Sequence, residues 1–286
     1  MELLHTVDEV RQRVRQWRRE EQTVALVPTM GNLHPGHLSL VEEARRQADK
    51  VVVSIFVNPT QFGPGEDFDS YPRTLNDDAA HLREAGVELL FAPAVEEIYP
   101  LGGNQTWVDV DQLGEHLCGA GRPGHFRGVA TVVSKLFNIV QPDVAVFGEK
   151  DFQQLAILRR MTREMLMPIR IIAAPTDREA DGLARSSRNG YLRDSERARA
   201  PLLQQHLQDA RRAIEAGEQD FRALEKRLST SLNQHGFEVD YFTVANAVTL
   251  APAGARDRDL VIAAAARLGK PRLIDNITVQ RSAGTG

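Results

Sequence analysis

The sequence predicts an α/β protein: a Rossmann-like parallel-sheet domain over residues 1–175 and a smaller C-terminal α+β domain over residues 176–286. Two patterns predict it. Through the first 175 or so residues, β-branched apolar runs alternate with stretches of helical periodicity, and the runs are almost continuously apolar, as strands covered on both faces are. After Pro175 the character changes: a polar loop rich in Arg, Asp and Ser at 176–189 leads into two long helical stretches and then three short strands.

Taken in order, Thr6-Val7-Asp8-Glu9 has the spacing of a capping box and opens a helix through about Glu20. Residues 23–28 (TVALVP) form a short buried strand. A helix begun near His37 continues through 41–48. Residues 51–57 are a β-branched strand, 74–85 a helix and 87–92 another strand. Beyond these, 128–140 read as helical, 144–147 as extended, 152–165 as helical and 169–173 as extended. The second domain offers helical stretches at 195–216 and 220–235 and strands near 237–244, 259–266 and 272–279. Residues 282–286 read as a frayed tail.

Composition narrows the function classes. A chain of 286 residues that is 42% hydrophobic can bury a proper core. Its longest apolar runs fall well short of the roughly 20 residues that cross a bilayer, and its start lacks a basic segment followed by an apolar one. No membrane association or export is therefore expected. Cys118 is the only cysteine, which excludes an intramolecular disulfide and a four-thiolate zinc site and fits a reducing cytoplasm. A net charge of −4, from 35 basic and 39 acidic residues well mixed, gives no general attraction for nucleic acid. Any anion must be held by a local cluster.

The first such cluster is Thr29-Met30-Gly31-Asn32-Leu33-His34-Pro35-Gly36-His37, where a strand runs into a helix. Unpaired N–H groups and the positive end of the helix dipole attract phosphate there, and two imidazoles add donors that can follow developing charge. With 8 His and 21 Gly in the chain, roughly 0.02 His-x-Gly-His tetrapeptides arise by chance, so the motif gains weight from its strand-to-helix setting. Two histidines with ordinary capping roles are the competing reading. Phe56-Val57-Asn58-Pro59-Thr60-Gln61-Phe62 follows the next strand. Its Asn58 and Gln61 suit a small hydroxylated acid, or else simply form the turn beside Pro59. Phe147-Gly148-Glu149-Lys150-Asp151-Phe152-Gln153-Gln154 is again a strand-to-helix turn, with Lys150 able to neutralise phosphate and Asp151 able to cap the helix or hold ribose or Mg²⁺. Finally, Asp181-Gly182-Leu183-Ala184-Arg185-Ser186-Ser187-Arg188-Asn189-Gly190 combines two hydroxyls with an arginine, as a clamp for polyphosphate would, although a solvated loop explains it equally. Arg122-Pro123-Gly124-His125-Phe126-Arg127-Gly128 is a further basic, glycine-bearing stretch.

Two patterns point elsewhere. Gly119-Ala120-Gly121-Arg122-Pro123-Gly124 matches G-x-G-x-x-G, but no strand precedes it, and Pro123 interrupts the helix that the dinucleotide fingerprint needs. Asp77 and Asp78 can hold Mg²⁺, or else serve as first-turn acids of the helix after Thr74, the reading favoured slightly.

Together, PTMGNLHPGH, SIFVNPTQF, YPRTL, RPGHFRGV, FGEKDFQQ, DGLARSSRNGYL and RLIDN resemble, in order and spacing, the motifs of the bacterial pantothenate synthetase family, within the HxGH nucleotidylyltransferase superfamily. That resemblance implies an ATP-dependent condensation of pantoate with β-alanine through a pantoyl adenylate, with Mg²⁺, in a cytoplasmic homodimer. It implies that the run from Met30 to His37 and the run from Gly148 to Asp151 contact ATP, that His37 donates a proton, and that His34, Lys150 and Arg188 assist at phosphate. Gln61 and Gln154 hold pantoate, with Asn58 beside them; Asp177 and the run Arg185, Ser186, Ser187 and Arg188 bind the nucleotide. The sequence departs from the family at Asp177 and Arg185, where apolar residues are usual.

Overall fold

Thr6 does cap a helix reciprocally: its side chain accepts from Glu9 N–H while the Glu9 carboxylate accepts from Thr6 N–H. The computed structural model describes residues 1–281, so the expectation for residues 282–286 lies outside the described chain. In order the elements are β1 (Glu2–Leu4), α1 (Val7–Arg19), β2 (Val24–Thr29), α2 (Pro35–Gln47), β3 (Lys50–Ile55), α3 (Leu75–Glu84), β4 (Leu89–Phe91), α4 (Val95–Ile98), α5 (Leu117–Ala120), α6 (His125–Val140), β5 (Val144–Gly148), α7 (Phe152–Glu164) and β6 (Arg170–Ala174). There follow α8 (Asp194–Arg197), α9 (Leu202–Glu215), α10 (Phe221–Gln234), β7 (Glu238–Asn246), β8 (Asp259–Arg267) and β9 (Arg272–Gln280).

The chain divides into two units. The first comprises Met1–Gly114, Arg122–Glu149 and Gln154–Pro175; the second comprises Glu115–Gly121, Lys150–Gln153 and the chain from Thr176 onward.

In the first unit, six strands form one parallel sheet in the order β1-β4-β3-β2-β5-β6. The predicted continuous apolar strands sit at its centre: Val24, Ala25, Leu26 and Val27 are fully buried. Val41 and Ala44 of α2 and Ala79 and Leu82 of α3 pack with Val27, Val53 and Val146 of the sheet. From β2 the chain goes to β3 on one side, and it later returns as β5 on the other. The C-terminal ends of β2 and β5 therefore flank the point where strand order reverses, the place where open α/β sheets bind ligands. Strand β1 was not expected; three residues at a sheet edge are too few to show a period.

In the second unit, β7, β8 and β9 form an antiparallel sheet in that order. Leu203 and Leu207 of α9 and Leu224 and Leu232 of α10 share a core with Phe242, Ile262 and Leu273. The expected helix over 195–216 is instead two, α8 and α9, separated by a turn at 198–201. Pro201 explains the break: it has no N–H to continue the ladder, and its ring clashes with the preceding turn, but it fits just ahead of a helix.

Candidate functional site

Strand β2 ends at Thr29, whose hydroxyl accepts from Gly31 N–H (3.2 Å) and donates to Ser54 O (2.8 Å) in β3. The chain then turns through two left-handed residues, Gly31 (φ 81°) and Asn32 (φ 52°). Asp78 holds this turn from α3. Its Oδ2 accepts from Asn32 N–H (2.9 Å) and from the Thr74 hydroxyl (3.1 Å), and its Oδ1 accepts from Leu33 N–H (2.8 Å). With 2% exposure and both oxygens committed, Asp78 serves the shape of the loop. This accords with the reading of Asp78 as a first-turn acid of the helix; among the described residues there is no group of three or more His, Cys, Asp or Glu that could hold a metal ion by itself. Asp77 is exposed on the first turn of the same helix.

His34 is the N-cap of α2 and Pro35 its first residue. The two histidines orient one another. His34 Nδ1 accepts from Gly36 N–H (3.1 Å), His37 Nδ1 accepts from His34 N–H (3.2 Å), and the ring centroids are 4.1 Å apart. A nitrogen that accepts from a backbone N–H carries no hydrogen itself, so this network assigns the proton of each neutral ring to Nε2. The capping reading of these histidines is thus seen directly, and it leaves the donor reading compatible with the same geometry: Nδ1 shapes the helix start.

The Asn58 turn lies on the same rim of the sheet. Asn58 is 1% exposed; its Nδ2 donates to Gln61 Oε1 (3.1 Å) and Gly128 O (3.3 Å), and its Oδ1 accepts from Tyr99 Oη (2.6 Å) and Thr60 Oγ1 (3.0 Å). With both amide hydrogens and the carbonyl occupied, Asn58 orients Gln61. Gln61 Nε2 in turn donates to Met30 Sδ (3.1 Å), so Met30 and Gln61 are in contact.

Sequence reasoning missed how this turn is fixed. Helix α6 meets it so closely that a Cβ on Gly128 would lie 2.4 Å from Thr60 O. Tyr99 is buried, and that burial raises its hydroxyl pKa, keeping it a neutral donor to Asn58. The basic stretch from Arg122 supplies the other support. Arg122 forks onto Glu66 (2.7 and 2.6 Å) and contacts His125 Nε2 (3.0 Å), while His125 Nδ1 meets Gln61 O (2.8 Å). An arginine can only donate, so the His125 proton sits on Nδ1 and is given to Gln61 O. The Arg122 hydrogen bonds hold the Glu66 carboxyl below its ordinary range. The only sequence signal was the glycine-bearing basic stretch itself.

Gly148 ends β5, Glu149 is exposed beyond it, and Gln154 is half-buried on the first turn of α7. The G-x-G-x-x-G stretch spans the end of α5, and no strand leads into it.

In the second unit, Lys150 and Asp151 lie in a single 3₁₀ turn, and Lys150 O accepts from Asn276 Nδ2 (2.9 Å). Burial lowers the pKa of the Lys150 ammonium, the Asp151 and Asp275 carboxylates counter that, and the Arg188 guanidinium adds to it. Lys150 and Arg188 thus feel one another's charge. Ser186 caps the turn Ser187–Tyr191 by accepting from Arg188 N–H (3.3 Å). The two departures from the expected pattern are partners: Arg185 Nε lies 3.0 Å from Asp177 Oδ2, its Nη1 lies 2.9 Å from Glu179 Oε1, and Arg185 N–H donates to Asp177 O (3.0 Å).

An open parallel sheet that carries a His-x-Gly-His helix start at its topological switch point defines a nucleotide-binding α/β enzyme. The family model described as Pantoate-beta-alanine ligase matches residues 2–278, and the chain belongs to that family. Its reaction is that of the family: the ATP-dependent condensation of pantoate with β-alanine. The chain is 68% identical over 279 residues, covering 98% of both sequences, to the pantothenate synthetase of Alcanivorax borkumensis. It superposes on the pantothenate synthetase of Thermus thermophilus with a TM-score of 0.90 at 46% identity, over 97% of this chain and 99% of that one. It also matches the pantoate-beta-alanine ligase of Francisella tularensis, solved in complex with beta-gamma ATP and beta-alanine, with a TM-score of 0.81 at 33% identity over 97% of each chain.

Proposed function

We propose that the condensation runs through a pantoyl adenylate. A carboxylate is a poor acyl donor to an amine, so a pantoate oxygen first attacks the α-phosphorus of ATP and pyrophosphate leaves. The mutually oriented pair His34 and His37 is the observation that carries this reading. Their Nε2–H groups are pre-set donors at a helix N-terminus, aimed for charge that grows as the phosphoryl bond breaks. The backbone run from Met30 to His37 and the Gly148 and Glu149 turn bind the nucleotide beside them. Lys150 and Arg188 take charge on the departing pyrophosphate, with Ser186 and Ser187 adding hydroxyl donors; Asp151, Asp177 and Arg185 lie along nucleotide-binding backbone. Gln61 and Gln154 hold pantoate, and Asn58 acts by orienting Gln61. The β-alanine amine then attacks the mixed anhydride and releases AMP; no protein nucleophile is required.

We propose that Asp77, exposed on the first turn of α3, and Asp78 beside it are the acids that would help to hold Mg²⁺ brought by ATP; the ion would supply positive charge to the leaving group. Family resemblance supports a homodimer in the cytoplasm; no helix of the described residues is long and apolar enough to cross a membrane.

The test separates chemistry from capture. His37→Ala is expected to lower the rate of AMP formation about a hundredfold or more at saturating substrates. Gln61→Ala is expected chiefly to raise the KM for pantoate, because it removes a neutral hydrogen bond to the acid. Near-wild-type turnover by His37→Ala, with an unfolding midpoint unchanged, would remove the histidine pair from the mechanism.

A further inference from the structure

Strand β9 breaks the usual alternation of a half-buried strand. Leu273 and Val279 belong to the core of the second unit, yet between them two consecutive polar residues, Asp275 and Asn276, are both buried, at 4% and 8% exposure. Successive side chains on a strand point to opposite faces, so this is a polar insertion into both faces at one level. Across the ladder stand Ala264 and Ala263, whose small side chains leave room there.

Each residue has a defined task. Asp275 accepts both arms of the Arg178 fork (2.7 and 2.9 Å), and its Oδ1 also accepts from Asn276 N–H (2.8 Å). Asn276 Nδ2 reaches the backbone carbonyl of Lys150 (2.9 Å), across 126 residues of sequence. Stability alone does not ask for this pattern, because a buried ion pair replaced by well-packed apolar residues is often neutral or stabilising. What the pattern does is tie the turn bearing Lys150 to a rigid strand.

We propose that Asp275 and Asn276 are positioning residues for Lys150, Asn276 by holding its carbonyl and Asp275 by anchoring Asn276 N–H with a carboxylate that Arg178 fixes. The inference rests on the assignment of Lys150 as a cation acting on phosphate. The charged groups that bear on the ammonium are Asp151, Asp275 and Arg188: the two carboxylates favour its charge, while the guanidinium and burial oppose it. Asp275 is thus one of two carboxylates that counter the lowering of the Lys150 pKa, and Arg178 fixes where that carboxylate stands.

The experiment follows pantoate-dependent exchange of pyrophosphate into ATP, at enzyme concentrations high enough to measure slow variants, alongside thermal unfolding. Asn276→Ala is expected to lower the exchange kcat about tenfold, with the pantoate KM little changed, as a small misplacement of a charge-stabilising group does. In a Lys150→Ala background the same substitution should cost nothing more, since a residue acting through Lys150 has nothing left to act on. Asp275→Asn should move the alkaline limb of the exchange rate to lower pH: removing an anion lets the Lys150 ammonium lose its proton more readily. That shift should vanish in a Lys150→Arg background, where the guanidinium stays charged. Losses from Asn276→Ala and Lys150→Ala that simply add, or an alkaline limb unmoved by Asp275→Asn, would overturn the inference. Wild-type exchange by Lys150→Ala alone would instead overturn the underlying assignment of Lys150. Should Asp275→Asn unfold, the Asn276 cycle decides the matter by itself.

Discussion

Asp177 and Arg185, the two positions where the resemblance leads one to expect apolar residues, are bonded to each other, and Arg185 also reaches Glu179. A charge placed where apolar residues are usual is costly alone but tolerable as a pair. Their side chains keep 31% and 29% of their exposure, so the pair is worth little in net stability, about 0.2–1 kcal/mol. Asp177→Ala and Arg185→Ala should therefore each destabilise the protein slightly, with a double-mutant cycle in denaturant unfolding returning a coupling of about that size. The KM for ATP should move by no more than a few fold, because the proposed nucleotide contacts of this stretch are with its backbone. A tenfold rise for Asp177→Ala would show instead that its carboxylate touches the nucleotide. At this scale the sequence disclosed residue types but not their partners. Asp78 was legible as a helix acid; its grip on Asn32 and Leu33, 46 and 45 residues away, leaves no local pattern to read.

Elements were more legible than residues. Capping boxes, β-branched runs and apolar stripes are local, and the corresponding strands and helices formed where those patterns lie. The failures have local causes too: β1 is three residues long, and a helix expected to run through Pro201 stops before it. The α6 helix shows what a local pattern omits. Its stripe is visible from Gly128 onward, yet the glycine is there because α6 presses on the Asn58 turn, Thr60 O standing 2.4 Å from where a Cβ would be. Gly128→Ala should force helix and turn apart and cost about 1–3 kcal/mol, as overpacking does. The same displacement should disturb the Asn58 bond to Gly128 O and the His125 bond to Gln61 O, so pantoate KM should rise while ATP KM stays near wild type. Equal damage to both constants would mean that the close approach supports the fold at large rather than the acid site.

At the scale of the whole molecule, the change of composition after Pro175 announced a second body of different architecture, and the parallel and antiparallel sheets bear out that difference. Less visible was the allegiance of Lys150–Gln153 to the second unit, which depends on long-range bonds such as Asn276 to Lys150 O. The proposed chemistry predicts an order of events. An amine attacks only an activated acyl group, so adenylate should form from ATP and pantoate before β-alanine is present. Pyrophosphate exchange into ATP should then require pantoate and proceed without β-alanine. Arg188 is assigned to departing pyrophosphate, which takes no part in the second step. Arg188→Ala should accordingly depress exchange while leaving the conversion of supplied pantoyl adenylate and β-alanine to pantothenate close to wild type. Exchange that strictly required β-alanine would point to a concerted reaction, and an Arg188→Ala enzyme equally impaired in both half-reactions would give that loop a structural role instead.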